Sequence, residues 1–200
     1  MRNVILFARS PRLGMVKRRL ATEIGMSGAW VFYRKNVRVI SKRLALDPRW
    51  KLWLAVTPDT FDGNERFWPI NIPIIQQGSG DIGERMYQCL KKFSTEPTIL
   101  VGTDIPDVNK EFVWQAFEKL KSNEAIFGPV IDGGFWSVGF KPQLLINNPF
   151  RGVIWSSGET LDQVIKLLPN NTNIAMASCL EDIDDASSFM KHRVKVLASI

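Results

Sequence analysis

The sequence predicts an α/β fold: one Rossmann-like, three-layer domain over residues 1–200, built on a mixed but mostly parallel sheet. Three observations predict it. Strand-like and helix-like segments alternate along the chain. Several strand candidates, such as "NVILFA" (3–8) and "TILVGTD" (98–104), are continuous apolar runs, as strands covered on both faces must be. The chain has 200 residues, 45% of them hydrophobic, enough for one sizeable core.

The elements follow in order. After strand 3–8 come a helix over 15–24 and a longer amphipathic helix over 28–46, with Trp30, Val37, Ile40 and Leu44 at helical spacing. "KLWLAVT" (51–57) is the second strand and "PIIQQG" (73–78) the third, after a Pro- and Asn-containing loop. A helix over 82–94 leads to strand 98–104, and a helix over 109–121 to strand 125–130. Strand 135–140 returns after "IDGG", so this pair reads as an antiparallel hairpin. Ser157 reads as the N-cap of the helix in "SGETLDQVIKLL", "NIAMA" as a short strand, and 184–198 as the last helix.

Composition narrows the chemistry. The chain carries one histidine, His192, and two cysteines, Cys89 and Cys179, without metal-ligand spacing. Catalysis resting on a histidine base or on a multi-histidine zinc site is therefore disfavoured. No apolar run approaches the ~20 residues that span a bilayer, and the opening "MRNVILFA" lacks a signal-peptide core. The expectation is a cytoplasmic protein with no membrane span and with reduced thiols.

The net charge of +6 is uneven. Residues 1–50 hold 12 Lys and Arg against Glu23 and Asp47, a balance of +10; residues 51–200 hold the other 14 against 18 acids, a balance of −4. That split suits a polyphosphate ligand, a nucleic acid or a solvated basic face. Nucleic acid is the least favoured, because single-strand binders interleave exposed aromatics with basic residues. Here the nearby Trp30, Phe32 and Tyr33 read as helix core.

In open α/β sheets, ligands bind beyond the carboxyl ends of the strands. The first such junction is "ARSPRLGMVKRRL" (8–20). A strand–loop–helix turn offers backbone N–H groups to an anion. Gly14 would allow close approach, while Arg12 and Lys17 would add charge-assisted hydrogen bonds. In "GTDIPD" (102–107), Asp104 stands at a strand end and suits a divalent cation bridging to phosphate, with Asp107 the better helix cap. In "EDIDDASSF" (181–189), Asp182 and Asp184 alternate and face one side of an extended chain. They suit a hard cation, or they cap the last helix. In "QQGSGDIGERM" (76–86), Gly78 and Gly80 suit close approach to a base or ribose, Asp81 a helix cap, and Arg85 a place one turn in. Gly133 and Gly134 in "GPVIDGGFW" make a tight turn that leaves room for a ligand. Trp155 stacks on a substrate or joins the core.

Taken together, six blocks carry a resemblance: "FARSPRLGMVKRRL", "QGSGDIGERM", "GTDIPDV", "GPVIDGGFWSVG", "FRGVIWSSG" and "DIDDASSF". In this order they resemble a bacterial family of glycosyltransferase-A-like proteins, the rSAM/selenodomain-associated transferases. That family is similar to the guanylyltransferases of deazaflavin-cofactor synthesis, within the nucleotide-diphospho-sugar transferase superfamily. The resemblance covers almost the whole chain. It implies that Arg12, Gly14 and Lys17 grip nucleotide phosphates. It implies that Asp104, Asp182 and Asp184 bind Mg²⁺ or Mn²⁺. The block holding Gly78, Gly80, Asp81 and Arg85 would line the nucleoside pocket, and that holding Gly133 and Gly134 would face the acceptor. The chain departs from the family pattern at Arg9 and Arg18, in "WSSG", and in the last block, which lacks the usual Thr and Pro.

The expected activity is metal-dependent transfer from a nucleoside triphosphate or a nucleotide-sugar, with Lys17 and Asp104 as catalytic residues. In the nucleotidyl version a phosphorylated acceptor attacks the α-phosphorus; in the glycosyl version an acceptor attacks the anomeric carbon. The alternative is a non-catalytic nucleotide- or partner-binding protein. Acceptor identity and assembly into a homo-oligomer stay open at this stage.

Overall fold

Residues 1–61, 68 and 71–197 are described in a computed structural model of the chain. Part of the loop expected between residues 57 and 73, and the expected helix end at 198, lie outside them. The elements are β1 Asn3–Arg9, α1 Arg18–Ala45, β2 Lys51–Thr57, β3 Ile74–Gln76, α2 Ile82–Lys91, β4 Thr98–Gly102, α3 Lys110–Ser122, β5 Ala125–Pro129, β6 Phe135–Phe140, α4 Thr160–Leu167, β7 Ile174–Met176 and α5 Ala186–Leu197, with a 3₁₀ turn at Pro142–Leu145.

One seven-stranded sheet runs in the order β3-β2-β1-β4-β6-β5-β7. β1 pairs in parallel with β2 and β4, β2 with β3, and β5 with β7. Only β6 is reversed, running antiparallel to both β4 and β5. The carboxyl ends of the other strands therefore share one sheet edge with the amino end of β6. The expected fold class is the one found.

Strand alternation builds the layers. Val4, Leu6 and Ala8 of β1 face the α1 and α3 side, with Ile99 and Val101 of β4 and the helix residues Val37, Ile40, Leu44, Val113 and Phe117. Ile5, Leu100, Phe127 and Val138 face the other side, against Met86, Cys89 and Leu90 of α2 and Val164 of α4. Burying a side chain such as Phe117 contributes about 2–3 kcal/mol, so these two layers hold the sheet edge rigid beneath the loops it carries.

Several boundaries differ from the sequence expectation for definable reasons. The two helices expected at 15–24 and 28–46 are one element broken at Gly25, whose φ of 78° only glycine adopts readily. Asn109, not Asp107, caps α3 by accepting the Phe112 N–H; Asp107 pairs with Lys195 at 2.5 Å. Ser157 does not cap α4, which begins at Thr160; the Ser157 carbonyl instead accepts from the Thr160 N–H and hydroxyl in the preceding turn. Many early basic residues serve the fold. Arg43 donates to the carbonyls of Pro106 and Val108, Arg49 pairs with Asp47, and Arg34 lies 4.3 Å from the centre of the Trp30 ring.

Candidate active site

The loop between β1 and α1 is pinned before it reaches the site. The Trp30 indole donates to the Pro11 carbonyl, the Arg9 guanidinium donates to the Met15 carbonyl, and Gly14 turns at φ 75°. Lys17 follows at φ 48°, ψ 51°, a left-handed conformation uncommon outside glycine. It ends the loop and directs its side chain inward. That side chain is 4% exposed, and its ammonium lies 2.7 Å from Asp104 Oδ1 and 2.6 Å from Asp184 Oδ1. Burial alone would lower its pKa, but the two carboxylates outweigh burial and hold it above the ordinary lysine value.

The acids come from two further junctions. Asp104 lies two residues past the end of β4. Its carbonyl accepts the Ile183 N–H, which draws the 181–184 segment against the end of β4. α1 fixes the spacing from the other side: the Tyr33 hydroxyl bonds both the N–H and the carbonyl of Arg9, and Asn36 donates to the Thr103 carbonyl. Burial, reinforced by the Asp104 charge, pushes the Tyr33 phenol up to about 12, so it stays neutral. Asp182 is half-buried. Its pKa is pushed up to about 6, first by burial and then by the charges of Asp132 and Asp184.

Two adjoining cavities open at this sheet edge. The first, about 390 Å³, is lined by Arg9, Lys17, Arg18, Arg19 and Arg85, with Phe7, Gln77, Ile82, Thr103, Asp104, Ser156 and Asp184 among its other walls. The second, about 420 Å³, shares Asp104, Asp184, Arg19 and Ser156 and adds Asp132, Gly134, Phe135, Trp136, Trp155 and Asp182. Of the residues expected from sequence, Lys17, Asp104, Arg85 and Asp184 meet in the first cavity; Asp104, Asp182, Asp184 and Gly134 meet in the second.

Arg12, Gly14, Gly78, Gly80, Asp81 and Gly133 do not line either cavity, and their local contacts say why. Arg12 is exposed on the loop. Asp81 caps α2, accepting from the Glu84 N–H while Glu84 accepts from Asp81 in return. Gly78 and Gly80, at φ 88° and 101°, lie where a Cβ would strike the Gln88 and Glu84 side chains of the same helix. Gly133, at φ 86°, touches the backbone of Gly158; a Cβ there would lie 1.8 Å from the Gly158 carbonyl oxygen.

The structure also assigns residues that sequence reading missed. Gln77 is fully buried, donates its amide to the carbonyls of Ala8 and Ala55 at 2.8 Å each, and accepts from Arg85 Nη1 at 2.8 Å. It thereby ties β1, β2 and α2 together behind the first cavity. Asp59 accepts from the N–H groups of Gln77 and Gly78 and sets that loop. Asp132 orients through Oδ1, which accepts from the Gly134 N–H at 3.0 Å. Ser156 turns at φ 62° between the cavities. The sequence signal for Gln77, Asp132 and Ser156 was their place within the quoted blocks; Asp59 lies in none of them.

Among the described residues, no three Asp, Glu, His or Cys side chains converge as a metal cage. The donor chemistry nonetheless fits a hard divalent cation: Asp104 and Asp184 already share a cationic group, the Lys17 ammonium, and Asp182 feels the like charges of Asp132 and Asp184, which Lys17 offsets in part. No described helix is long and apolar enough to cross a membrane.

Comparison with known proteins fits this geometry. Residues 40–157 match the DUF2064 family, described as an uncharacterized protein conserved in bacteria. No curated protein matches the chain. Among solved structures, a protein from Desulfovibrio desulfuricans G20, provisionally assigned as a nucleotide-diphospho-sugar transferase, superposes with a TM-score of 0.85 at 26% identity, over 94% of this chain and 84% of that one. The 4-diphosphocytidyl-2C-methyl-D-erythritol synthase of Anaerococcus prevotii DSM 20548 superposes at 0.63 and 10% identity, over 98% and 96% of the two chains. A CMP:2-keto-3-deoxy-manno-octonic acid synthetase complexed with CTP superposes at 0.61 and 13% identity over the whole of both. The latter two likenesses are of fold.

Proposed function

We propose that this chain, which belongs to the DUF2064 family, is a transferase whose first cavity holds the phosphates of a nucleoside triphosphate or a nucleotide-sugar. The observation that carries the reading is the cavity wall: Arg9, Lys17, Arg18, Arg19 and Arg85 converge where strand carboxyl ends meet the amino end of α1, and the two acids present are paired with Lys17. Such a wall suits a polyanion, because guanidinium groups bind phosphate oxygens in pairs and the helix end adds its dipole.

Asp104, Asp182 and Asp184 would hold a divalent cation, Mg²⁺ or Mn²⁺, which supplies neutralisation of charge on the departing phosphate. The chain's own groups do the rest. Lys17, released from one carboxylate, reaches the phosphates, whose negative charge favours the ammonium as the carboxylate did. Arg85 is held in place by Gln77 and offers its remaining N–H groups to the cavity. Lys17 and Arg19, at the border of the two cavities, would position the donor's phosphates there, so that the acceptor approaches from the second.

A thermal-shift panel tests this reading. Nucleoside triphosphates and UDP- and GDP-sugars are each added with Mg²⁺, with Mn²⁺ and with chelator. A ligand that binds only the folded state raises Tm by mass action. A metal-dependent rise with one donor, lost in Asp104→Asn, supports the site. Absence of any nucleotide-dependent rise overturns it. Turnover then separates a transferase from a nucleotide-binding protein that performs no reaction.

A further inference from the structure

The two cavities differ in charge. The first is walled by cations. In the second, Asp104, Asp132, Asp182 and Asp184 face one lining cation, Arg19, which lies 3.9 Å from Asp184, and the Lys17 ammonium is shared between Asp104 and Asp184. A divalent cation on Asp104, Asp182 and Asp184 would cancel the rest of their charge, yet Asp132 has no ion-pair partner among the described residues and Arg19 is the one cation in the cavity lining. A phosphorylated acceptor, expected for the nucleotidyl version of the reaction, would meet repulsion there.

The remaining walls are largely apolar, with Ile82, Met86, Ile105 and Val130 beside the rings of Phe135 and Trp155, whose centres lie 6.5 Å apart at 68°. Ring faces beside carboxylates and the hydroxyls of Ser156, Ser157 and Thr160 suit a ring compound with hydroxyl groups: C–H faces pack on the aromatics and O–H groups donate to the acids. The Trp155 indole N–H is buried with no hydrogen-bond partner among the described residues.

Asp132 is placed to act on such a ligand. It sits at the tip of the β5–β6 turn, exposed to the cavity, with Oδ1 oriented by the Gly134 N–H and Oδ2 in no hydrogen bond among the described residues. The turn itself is held from outside: the Gly133 carbonyl accepts the Leu161 N–H of α4, and Gly133 rests on Gly158.

Building on the reading of the first cavity, we infer that the second cavity binds an uncharged, hydroxyl-bearing ring acceptor, and that Asp132 takes the proton of the attacking hydroxyl. The step balances without a co-reactant. The acceptor O–H bond breaks and its proton passes to the Asp132 carboxylate; the oxygen forms a bond to the donor's electrophilic centre; the bond from that centre to the departing phosphate oxygen breaks, and its electron pair leaves with the phosphate.

Matched probe pairs test it by saturation-transfer NMR and calorimetry on the full chain: methyl glucoside against glucose 6-phosphate, and myo-inositol against its monophosphate. The neutral member of each pair is expected to bind at least about tenfold more tightly, and Asp132→Asn to narrow that margin by removing a repelling charge. Equal or tighter binding of the phosphates, or no binding of either neutral probe, overturns the assignment. With a donor identified by the thermal-shift panel, Asp132→Asn is expected to lower acceptor-dependent transfer about 100-fold while leaving donor affinity unchanged; an unchanged rate removes Asp132 from the step. A wild-type chain that gives no nucleotide-dependent shift defeats the reading of the first cavity, whereas the probe pairs still decide the second.

Discussion

Lys17 and Asp184 stand 167 positions apart in sequence, and 2.6 Å separate the ammonium from the carboxylate oxygen. Asp104 completes the bridge from the opposite side at 2.7 Å. One buried lysine thus joins the first loop, the end of β4 and the last loop, and each of these becomes part of the site only because the other two are present.

Replacing Lys17 by Met leaves two carboxylates facing each other. The cost to stability is about 1–2 kcal/mol, below the roughly 3–5 kcal/mol for breaking a fully buried pair, because Asp104 and Asp184 keep 54% and 43% of their side-chain exposure. The nucleotide-dependent rise in Tm should vanish. Differential scanning fluorimetry with and without nucleotide reads both effects. A variant that keeps the rise removes Lys17 from the phosphate site.

Gln77→Leu removes the second hydrogen bond to each of the Ala8 and Ala55 carbonyls, which keep their place in the β1–β2 ladder, and frees Arg85. Two lost buried hydrogen bonds cost about 1–3 kcal/mol together. Urea titration should show this loss. The variant should also bind nucleotide more weakly under conditions where it remains folded, since Arg85 loses its support.

Gly133→Ala meets two obstacles: a φ of 86° and a Cβ 1.8 Å from a backbone oxygen. Backbone cannot yield as a flexible side chain can, so the expected loss is at least about 2 kcal/mol. Gly152, also left-handed at φ 90°, has open space around it; Gly152→Ala should cost only about 1 kcal/mol. The difference between the two melting temperatures isolates the loop-to-loop contact.

Asp47 contributes to the acid limb of the stability profile. Its side chain is 4% exposed and accepts from Arg49 at both oxygens; that hydrogen bonding holds its pKa below the ordinary 3.8. A depressed carboxylate adds stability above the unfolded value and loses it as pH falls through the folded one. Asp47→Asn should therefore cost about 1 kcal/mol at pH 7, a figure kept small by the partly exposed Arg49, with the gap from wild type closing below pH 3.8. Chemical denaturation at a series of pH values follows the gap.

Much of the fold was legible because it rests on local patterns. Continuous apolar runs marked β1 and β4, the Asp-Gly turn marked the β5–β6 hairpin, and Asp81 marked the start of α2 as its cap. That Lys17, Asp104, Asp182 and Asp184 would come together at one sheet edge was also legible, since the loops after parallel strands gather there. The roles of the glycines were less so. Gly78 and Gly80 permit a turn onto their own helix, and nothing in the sequence distinguishes that from approach to a ligand. Gln77 was hidden for a related reason: its importance lies in being fully buried between three elements, which depends on tertiary placement. The division into a cationic and an acidic cavity emerges only when residues from seven junctions are brought to one edge.

Tyr33 and Asn36 lie one turn apart on α1, and between them they hold the ends of β1 and β4. The two strand ends are therefore gauged by one rigid ruler. A shift of α1 caused by repacking elsewhere carries both ends together and leaves their separation unchanged. Distant changes in the core can accumulate with little effect on the gap that Lys17 bridges, whereas a change at either of these two helix positions alters it directly.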